Sequence, residues 1–381
     1  MNTPAAPKPR SVEIEDLARF DELVAAGASA MAGWHLQSLD LRGRDASLRE
    51  LAAEGSVFLG CDFDPGLEED LRSRGALIFP HLPGIPFNAY RGHLYTGAEL
   101  YAGVEGSTYE QTPDARIYQW SLQSPTGRSL DATLATAMHD HAIGDALDAA
   151  LKYGDLSGRR MVGVMGGHAL PRGSREYANA AHLGQLLARR GFLVATGGGP
   201  GAMEAANLGA YLAAHDDGAV AGALAELAAV PGFRPSISAW ARAATAVVDR
   251  YPNGTASLGI PTWFYGHEPP NVFATHIAKY FANSIREAVL LARCDGGIIF
   301  LPGAAGTVQE IFQDACENYY AAPEAVAPII LVGLRHWQQD LPVWDLLQRL
   351  AAGRAMAEHI HCVETVEEAV EVLAGGRVAN G

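Results

Sequence analysis

The sequence predicts an α/β protein in which a Rossmann-like parallel sheet, with helices on both faces, is preceded by a smaller α/β domain. Short apolar segments alternate with amphipathic helical segments along most of the chain. In the second half these short segments are apolar on both faces, which is typical of parallel strands covered by helices on each side. The length of 381 residues also exceeds the size at which one hydrophobic core keeps growing, so we expect two domains.

The predicted domain division lies close to Gly154, where turn-forming and charged residues precede a new strand. We expect a disordered arm at 1–10, an accessory N-terminal α/β domain at 11–154 and the Rossmann-like domain at 155–381. The predicted elements of the first domain are a helix at 12–28, a strand at 34–41, a helix opened by Ser47, a strand at 56–60, a helix at 66–74, a strand at 76–80 and a helix at 130–152. The stretch 81–128 is rich in Pro, Gly, Tyr and Thr and gives no clear pattern.

Six strands are expected in the second domain, and a helix is expected after each of them. The strands are predicted at 161–166, 192–196, 257–261, 297–302, 327–333 and 359–363. The helices are predicted at 175–190, from about 201, at 273–293, 307–319, 341–352 and 365–374, with a helical insertion at 218–250. In such sheets ligands bind at the carboxyl ends of the strands, where the strand order reverses.

The charge and composition exclude several classes of protein. The formal net charge is −15 and the pI is near 5.3, which argues against the broad basic surface that binds nucleic acid or anionic membranes. The chain starts without an apolar leader segment, and no later run reaches the roughly 18 apolar residues of a membrane-spanning helix. The cysteines have no metal-binding or disulfide spacing. We therefore expect a cytoplasmic protein with reduced thiols and with neither a nucleic-acid nor a membrane partner.

Three of the predicted strand-to-helix turns consist of small residues. Glycine lets the backbone approach an anion closely, and the helix that follows points free N–H groups and its positive dipole end at the same place. The predicted nucleotide- and phosphate-binding residues are Gly166, Gly167, Gly198, Gly199, Gly201, Gly303, Gly306 and Thr307. The alternative is that these residues only form the tight turns that any parallel sheet needs. The run at 197–201 does not fit G-x-G-x-x-G and no G-x-x-x-x-G-K-[ST] occurs, which disfavours a dinucleotide dehydrogenase or a P-loop NTPase.

Two segments make the sequence recognisable. GGGPGAMEAANLGA (197–210) and PGAAGTVQE (302–310) resemble the paired signatures of the Lonely Guy family, phosphoribohydrolases formerly described as lysine decarboxylases. The resemblance covers about 155–375, and the preceding domain is similar to that of the longer bacterial pyrimidine/purine nucleotide 5′-monophosphate nucleosidases. The resemblance implies cleavage of the N-glycosidic bond of a nucleoside 5′-monophosphate without a cofactor. It also implies a homodimer or a higher even-numbered homo-oligomer.

The resemblance assigns a catalytic pair. The glutamate of the second signature corresponds to Glu310, and the arginine of the preceding helix corresponds to Arg286. Cleavage passes through an oxocarbenium-like transition state, so a carboxylate near the anomeric carbon stabilises the developing charge and orients the attacking water. Arg286 would bind the phosphate or hold Glu310 in place. Asn283 lies one helical turn before Arg286 and is expected to share its face.

Several features of this region allow other interpretations. Thr307 and Glu310 also fit the T-x-x-E capping box, as do the pairs Ser47–Glu50 and Thr365–Glu368. Ala304 stands where the family has a second glycine, and Glu287 stands where short members carry lysine. These two residues keep open the alternative of a non-catalytic nucleotide or cofactor carrier with the same fold.

Three further possibilities can be weighed from the sequence. A pyridoxal-dependent decarboxylase needs a Schiff-base lysine, and the three lysines, Lys8, Lys152 and Lys279, lie outside the glycine-rich turns. The spacing of the histidines in MHDHAIGD and HIHC separates their side chains, so no metal site is expected. The aromatic segment at 261–273 is expected to line the base or to form a dimer contact.

Overall fold

The computed structural model describes residues 12–123, 129–264 and 268–375. The chain divides into two compact units, of which the first comprises 1–93 and 126–146 and the second 94–125 and 147–381. The arm predicted at 1–10 lies outside the described residues. The domain division predicted near Gly154 stays a prediction, because a compact unit need not be a domain that folds alone.

The first unit contains a four-stranded parallel sheet whose strands lie in chain order. The strands are β1 (Val12–Ile14), β2 (Trp34–Gln37), β3 (Val57–Leu59) and β4 (Leu77–Phe79). The helices between them are α1 (Leu17–Ala25), α2 (Asp45–Glu50) and α3 (Leu67–Ser73). Ile14, Leu36 and Phe58 of the strands are buried in one core with Phe20 of α1. The sheet therefore gets its stability by burying apolar residues of its strands against the helices.

Two helices of the first unit begin at other residues than predicted. Residues 12–14 are a strand, with Val12 opposite Trp34 of β2, whereas the sequence predicted a helix from 12. The helix starts after Asp16, whose carboxylate accepts a hydrogen bond from the Arg19 N–H (2.7 Å) and caps it. The helix predicted to be opened by Ser47 begins at Asp45, so Ser47 is its third residue. Residues 12–14 form a strand because they pair with β2. The start of α2 depends on the direction in which the chain enters the helix.

The second unit contains a seven-stranded parallel sheet. Its strands are β5 (Met161–Met165), β6 (Leu193–Thr196), β7 (Leu258–Gly259), β8 (His276–Ile277), β9 (Gly297–Phe300), β10 (Ile329–Val332) and β11 (Ile360–Val363). Their order across the sheet is β11-β10-β9-β5-β6-β7-β8. The chain thus adds strands on one side of β5 up to β8 and then crosses to the other side with β9. This is the predicted Rossmann-like α/β fold, with its order reversal between β5 and β9.

Most of the remaining helices belong to the second unit, whereas α6 (Leu130–Lys152) begins in the first unit. The helices after α3 are α4 (Gly97–Leu100), α5 (Pro113–Leu122), α6 (Leu130–Lys152), α7 (Arg175–Arg189), α8 (Ala202–Tyr211), α9 (Asp217–Leu227), α10 (Ile237–Arg250), α11 (Asn283–Arg293), α12 (Ala305–Tyr320), α13 (Trp344–Ala351) and α14 (Val366–Leu373). Helices α9 and α10 form the predicted helical insertion between β6 and β7. Every residue of β5, β6, β9 and β10 is buried, as expected for strands covered on both faces.

The prediction of a helix at 273–293 is wrong for the first half of that range. Residues 276–277 form β8, and the backbone on either side continues the pairing, since the Ala278 N–H donates to the Gly259 carbonyl (2.9 Å) and the Tyr280 N–H to the Pro261 carbonyl (3.0 Å). The helix begins only at Asn283. This stretch is buried almost continuously, and such apolar runs do not distinguish a strand from a helix by periodicity.

No helix among the described residues is long and apolar enough to cross a membrane.

Candidate functional site

Three turns of the second sheet meet beside the point where the strand order reverses. Strand β5 lies between β6 and β9, so the turns that follow these parallel strands begin at the same edge. The Gly167 N–H donates to the Pro302 carbonyl (3.3 Å), and the Ala202 N–H donates to the Gly167 carbonyl (3.1 Å). The three glycine-rich turns, which are far apart in the sequence, therefore form one continuous backbone surface.

Close packing requires glycine at two of the predicted binding positions. Gly201 has a φ of +72°, and a Cβ there would lie 2.4 Å from the carbonyl oxygen of Gly167. A Cβ on Gly303 would lie 2.1 Å from Oγ1 of Thr307, the buried third residue of α12. Gly306 differs, because a Cβ there would have no atom within 4 Å among its described neighbours. Glycine thus lets the backbone approach another backbone segment at Gly201 and the Thr307 side chain at Gly303.

The other predicted glycines lie against neighbouring elements of the second unit. The nearest atoms to an added Cβ are Ala202 Cβ at 2.9 Å for Gly166, the Pro302 carbonyl oxygen at 3.5 Å for Gly167, Pro261 Cδ at 2.7 Å for Gly198, and Met203 Cε at 2.9 Å for Gly199. A Cβ on Gly199 would also lie 3.3 Å from the Glu268 carboxylate. Packing alone would favour glycine at most of these positions. Their role in binding a phosphate therefore stays a prediction.

Glu310 does not belong to an N-terminal capping box. Helix α12 begins at Ala305 with Ala304 as its N-cap, and no side chain caps it. Glu310 is consequently the sixth residue of the helix, too far along to bond the N-cap N–H. By contrast, Thr365 and Glu368 do form the complete capping box of α14. The capping interpretation of Glu310 is therefore wrong, and its side chain is free for another role.

The predicted catalytic pair does come together. Nη1 of Arg286, on α11, lies 3.4 Å from Oε1 of Glu310, on α12, and the two side chains are 12% and 14% exposed. Nε of Arg286 donates to the carbonyl of Ile260 (2.9 Å), which directly follows β7. A Cβ on Gly197, the first residue of the turn after β6, would lie 2.8 Å from Nη2 of Arg286. Arg286 thus fixes Glu310 beside the edge of the sheet where the turns meet.

The electrostatics of Glu310 follow from its burial. Burial raises the pKa of the Glu310 carboxyl, and the nearby carboxylates of Glu287 and Glu268 raise it further, while Arg286 opposes both effects. The two acidic neighbours make the ionised form costly, and the guanidinium favours it. A carboxylate in such surroundings is a stronger base than an exposed one and stabilises a nearby cation well.

Glu287 of α11 connects this helix to Gln309 of α12 and is also bonded by Asn283 of its own helix. Nδ2 of Asn283 donates to Oε1 of Glu287 (2.7 Å), and Nε2 of Gln309 donates to the other oxygen (2.8 Å). Oδ1 of Asn283 is buried without a hydrogen-bond partner among the described residues. Asn283 therefore holds the acidic residue that stands where short family members carry lysine. Its proposed contact with a nucleotide stays a prediction.

Sequence reasoning missed two polar side chains at this edge. Nδ1 of His168, in the turn after β5, lies 3.5 Å from Oε1 of Glu268. Both residues border a cavity of about 540 Å³, which Glu204 of α8 and Trp240 of α10 also line. His168 directly follows the predicted Gly166-Gly167 pair, a signal that was available in the sequence. The position of Glu268 could be learned only from the fold.

Lys279 is held in a buried cluster of the second unit. Its Nζ lies 2.6 Å from Oδ1 of Asp114 and 4.9 Å from the ring centre of Trp263, and its side chain is 1% exposed. Burial lowers the pKa of Lys279. Lys152 is on α6 and pairs with Asp148 (3.7 Å), and Lys8 is outside the described residues. Neither described lysine is in one of the three turns, which leaves the decarboxylase chemistry without a Schiff-base residue at this site.

Two family models match the region that builds these turns. Residues 239–374 match the family described as "Possible lysine decarboxylase", and residues 159–230 match the "SLOG cluster4 family". The second unit carries a Lonely Guy domain. The turns after β5 and β6 of this Lonely Guy domain lie within the match at 159–230, and Arg286 and Glu310 lie within the match at 239–374. The recognition made from the two sequence signatures is thereby confirmed.

The domain also resembles solved structures at low similarity. One is the molybdenum cofactor binding protein from the phototrophic bacterium Rippkaea orientalis, which is 19% identical, with coverage of 57% of this chain and 96% of that one and a TM-score of 0.36. Another is the molybdenum cofactor carrier protein from Chlamydomonas reinhardtii, which is 16% identical, with coverage of 57% and 99% and a TM-score of 0.36. At these TM-scores the resemblances assign no function. No curated protein matches the chain in sequence.

Proposed function

We propose that the Lonely Guy domain hydrolyses the N-glycosidic bond of a nucleoside 5′-monophosphate, giving the free base and ribose 5-phosphate. The observation that carries this proposal is the pairing of Arg286 with Glu310 at 3.4 Å, beside the edge where three glycine-containing turns meet. A buried carboxylate next to a surface of backbone N–H groups is what cleavage of a phosphorylated riboside requires.

The roles of the residues follow from this geometry. The 5′-phosphate would lie on the turns near the N-termini of α8 and α12, whose first N–H groups have no acceptor within their own helix, although that of Ala202 already donates to the Gly167 carbonyl. The Glu310 carboxylate would then face the anomeric carbon, stabilise the oxocarbenium-like transition state and take a proton from the attacking water. Arg286 positions that carboxylate and favours its ionised form. In this reaction the oxygen of water bonds to C1′, and the bond from C1′ to the base nitrogen breaks.

A non-catalytic carrier of a nucleotide or cofactor is the alternative function. Two observations favour it: Ala304 is the N-cap residue of α12 in place of the family's glycine, and Glu287 places a second carboxylate near Glu310. In a carrier the three turns would still hold the phosphate, but Glu310 would serve only to orient Arg286. The two functions share their ligand and differ in turnover.

A direct assay separates the two functions. The purified full chain would be incubated with AMP, GMP, IMP, CMP and UMP and with the matching nucleosides, and released base and ribose 5-phosphate would be measured. The proposal expects release from at least one monophosphate and none from its nucleoside. A carrier would raise its melting temperature with a monophosphate and release no base, and equal rates on AMP and adenosine would contradict a phosphate-directed site.

The proposal also includes the expected homodimer or higher even-numbered oligomer and the cytoplasmic location. Ile285, on the same helix as Arg286, is 46% exposed, and Phe264, within the aromatic segment, is 60% exposed. Exposed apolar side chains close to a site are frequent at subunit contacts. Light scattering at micromolar concentration is expected to give the mass of two chains or of a larger even number. A monomer would contradict this part of the proposal.

A further inference from the structure

A cavity in the second unit lies beside the turn after β6, whose Pro200 and Gly201 line it. It has a volume of about 540 Å³. One wall comes from the segment after β5 that begins at His168, the floor from the start of α8 at Gly201 and Glu204, and the opposite wall from the insertion, through Phe233 and Trp240. The helical insertion between β6 and β7 thus closes a space over the N-terminus of α8.

This cavity and the predicted catalytic pair share a neighbour. Glu268 lines the cavity, and its Oε2 would lie 3.3 Å from a Cβ on Gly199 of the turn. The same carboxylate is close enough to Glu310 to raise the pKa of that residue. Glu268 therefore joins the cavity to the turn after β6. A nucleotide whose phosphate lies on the turns would have its base within reach of this space.

Glu204, which lines the cavity, is already paired with Arg172. Nε and Nη2 of Arg172 donate hydrogen bonds to the Glu204 carboxylate. Nη1 of Arg172 donates to the Trp240 carbonyl (3.1 Å). The guanidinium also lies over the Trp240 ring, 4.8 Å from its centre. Arg234 lies over the Phe233 ring at 5.7 Å. Beside these charged groups, the lining includes the apolar and aromatic side chains of Leu170, Phe233 and Trp240.

His168 and Glu268 are the remaining titratable pair at the cavity. Their contact, at 3.5 Å, is through Nδ1 of the imidazole, so Nε2 takes no part in it, and the His168 side chain is 59% exposed at the border of the cavity. An aromatic space with one acid–base group at its edge suits a flat heterocycle that must be protonated when it leaves.

We propose that the base of the substrate occupies this cavity and that the imidazolium of His168, oriented by Glu268, donates a proton to the departing base. This inference rests on the proposed hydrolysis. The bond from C1′ to the base nitrogen breaks, its electron pair goes to the base, and the Nε2 proton of His168 neutralises the base. The water oxygen bonds to C1′, and the water proton goes to Glu310. Exchange of one proton with solvent at each residue restores the starting state.

The decisive variant is His168→Ala. A general acid contributes about a hundredfold or more to the rate, so kcat on the preferred monophosphate is expected to fall about a hundredfold while KM changes less than about threefold. Added imidazole is expected to restore at least about a tenth of the lost activity, because it supplies the missing acid in the vacated space. Glu204 with Arg172, and Arg234, are the other charged groups at the cavity, and they stay unchanged.

His182→Ala is the matched control. His182 on α7 also pairs with a glutamate, Glu367, at 3.2 Å, but away from the turns. It is expected to keep wild-type kcat. A second variant, Glu268→Gln, keeps the size of the side chain 3.5 Å from His168 but removes its charge, so kcat should fall less than in His168→Ala and imidazole should not rescue it.

The outcomes separate this inference from the proposed function. A wild-type enzyme that cleaves a monophosphate, together with a His168→Ala variant of nearly unchanged kcat, overturns the role of His168 and leaves the hydrolysis intact. A loss confined to KM, or a loss of kcat that imidazole does not restore, assigns His168 to binding or structure and equally overturns proton donation. A wild-type protein that binds monophosphates but releases no base overturns both proposals.

Discussion

The two parallel sheets of this protein differ in the order of their strands. In the first unit the strands β1 to β4 lie side by side in chain order. In the second unit β5 has β6 on one side and β9 on the other. At such a reversal the connections after adjacent strands leave toward opposite faces of the sheet and open a crevice, whereas a sheet in chain order has none. The comparison indicates that topology, and not parallel pairing as such, makes an edge of the second sheet suitable for a ligand.

The glycines at the two edges have different neighbours. Gly60, after β3 of the first unit, has a φ of +61°, and a Cβ there would lie 2.7 Å from the ring of Tyr90. Gly201 of the second unit is instead crowded by carbonyl groups of the turn after β5. A side chain can rotate away from an added methyl group, but backbone held by its own hydrogen bonds cannot. The turns of the second sheet are thus more sensitive to substitution.

The largest effect is expected for Gly201→Ala. The residue would need a backbone conformation that only glycine adopts readily, and its Cβ would collide with two carbonyl oxygens, so we expect a loss of roughly 3–5 kcal/mol in the free energy of unfolding. Gly66→Ala is the control in the first unit, since Gly66 is also an N-cap with positive φ (82°) but has open space around it. It should cost about 1–2 kcal/mol. Urea unfolding of both variants measures the difference, and equal losses would contradict the packing argument.

Glu310→Gln is expected to have the next largest effect. The amide keeps the size of the side chain but not its charge, and loss of such stabilisation costs on the order of a hundredfold in rate. The variant should fold and still raise its melting temperature with nucleotide. The corresponding change at the edge of the first sheet, Asp62→Asn after β3, should leave the rate within about twofold of wild type. Full activity of Glu310→Gln would end its assignment as the catalytic carboxylate.

The ionisation of Glu310 adds a pH dependence to the same measurement. Burial raises its pKa, and the reaction needs the carboxylate, so kcat/KM of the wild type should fall as the pH decreases through that raised pKa. Glu268→Gln removes a neighbouring negative charge and should shift this fall to lower pH. A shift to higher pH would contradict the arrangement of the three carboxylates.

A smaller effect, on stability, is expected at Asp314. This residue lies one turn after Glu310 on α12, and burial raises the pKa of its carboxyl from 3.8 to about 8. Folding must therefore take up a proton, a penalty that grows as the pH rises from about 4 to about 8. Asp314→Asn removes it and should gain on the order of 2 kcal/mol at pH 7, and less at pH 5.

The control for Asp314 is an aspartate of the first unit whose pKa is lowered and not raised. The exposed Asp40 has its pKa lowered to about 2 by the Arg42 guanidinium. Asp40→Asn should therefore give no gain at pH 7. Thermal unfolding at both pH values compares the two variants, and a gain of Asp314→Asn that did not increase with pH would argue against a buried protonated carboxyl.

The smallest effect concerns helix caps. Thr365 accepts the N–H of Glu368 in the capping box of α14, so Thr365→Ala should cost about 1 kcal/mol. Ser47→Ala in the first unit removes a hydroxyl from the third residue of α2, where the helix has no side-chain cap, and should cost less than about 0.5 kcal/mol. Denaturant midpoints of the two variants would differ accordingly, and equal losses would mean that Ser47 has an unrecognised contact.

The T-x-x-E pattern shows why local sequence rules do not decide a helix start. Thr365 with Glu368 forms the full capping box, whereas Ser47 and Thr307 are both third residues of helices that begin earlier. The pattern describes side chains that are able to cap. Whether they do depends on the backbone direction with which the chain leaves the preceding strand, and in α12 that direction is fixed by the contact of the turn with Gly167.

The sequence by itself determined the main strands of the second sheet, the two family signatures and the pair Arg286 and Glu310, because long apolar runs and short motifs are local signals. The tertiary structure decided what depends on distant partners: the short strands β1 and β8, the true start of α12, and the contact of His168 with Glu268, a hundred residues apart along the chain. A strand of two or three residues has no periodicity of its own and is defined by its neighbour. In the same way, an ionic site becomes visible only when folding brings its side chains to one edge of the sheet.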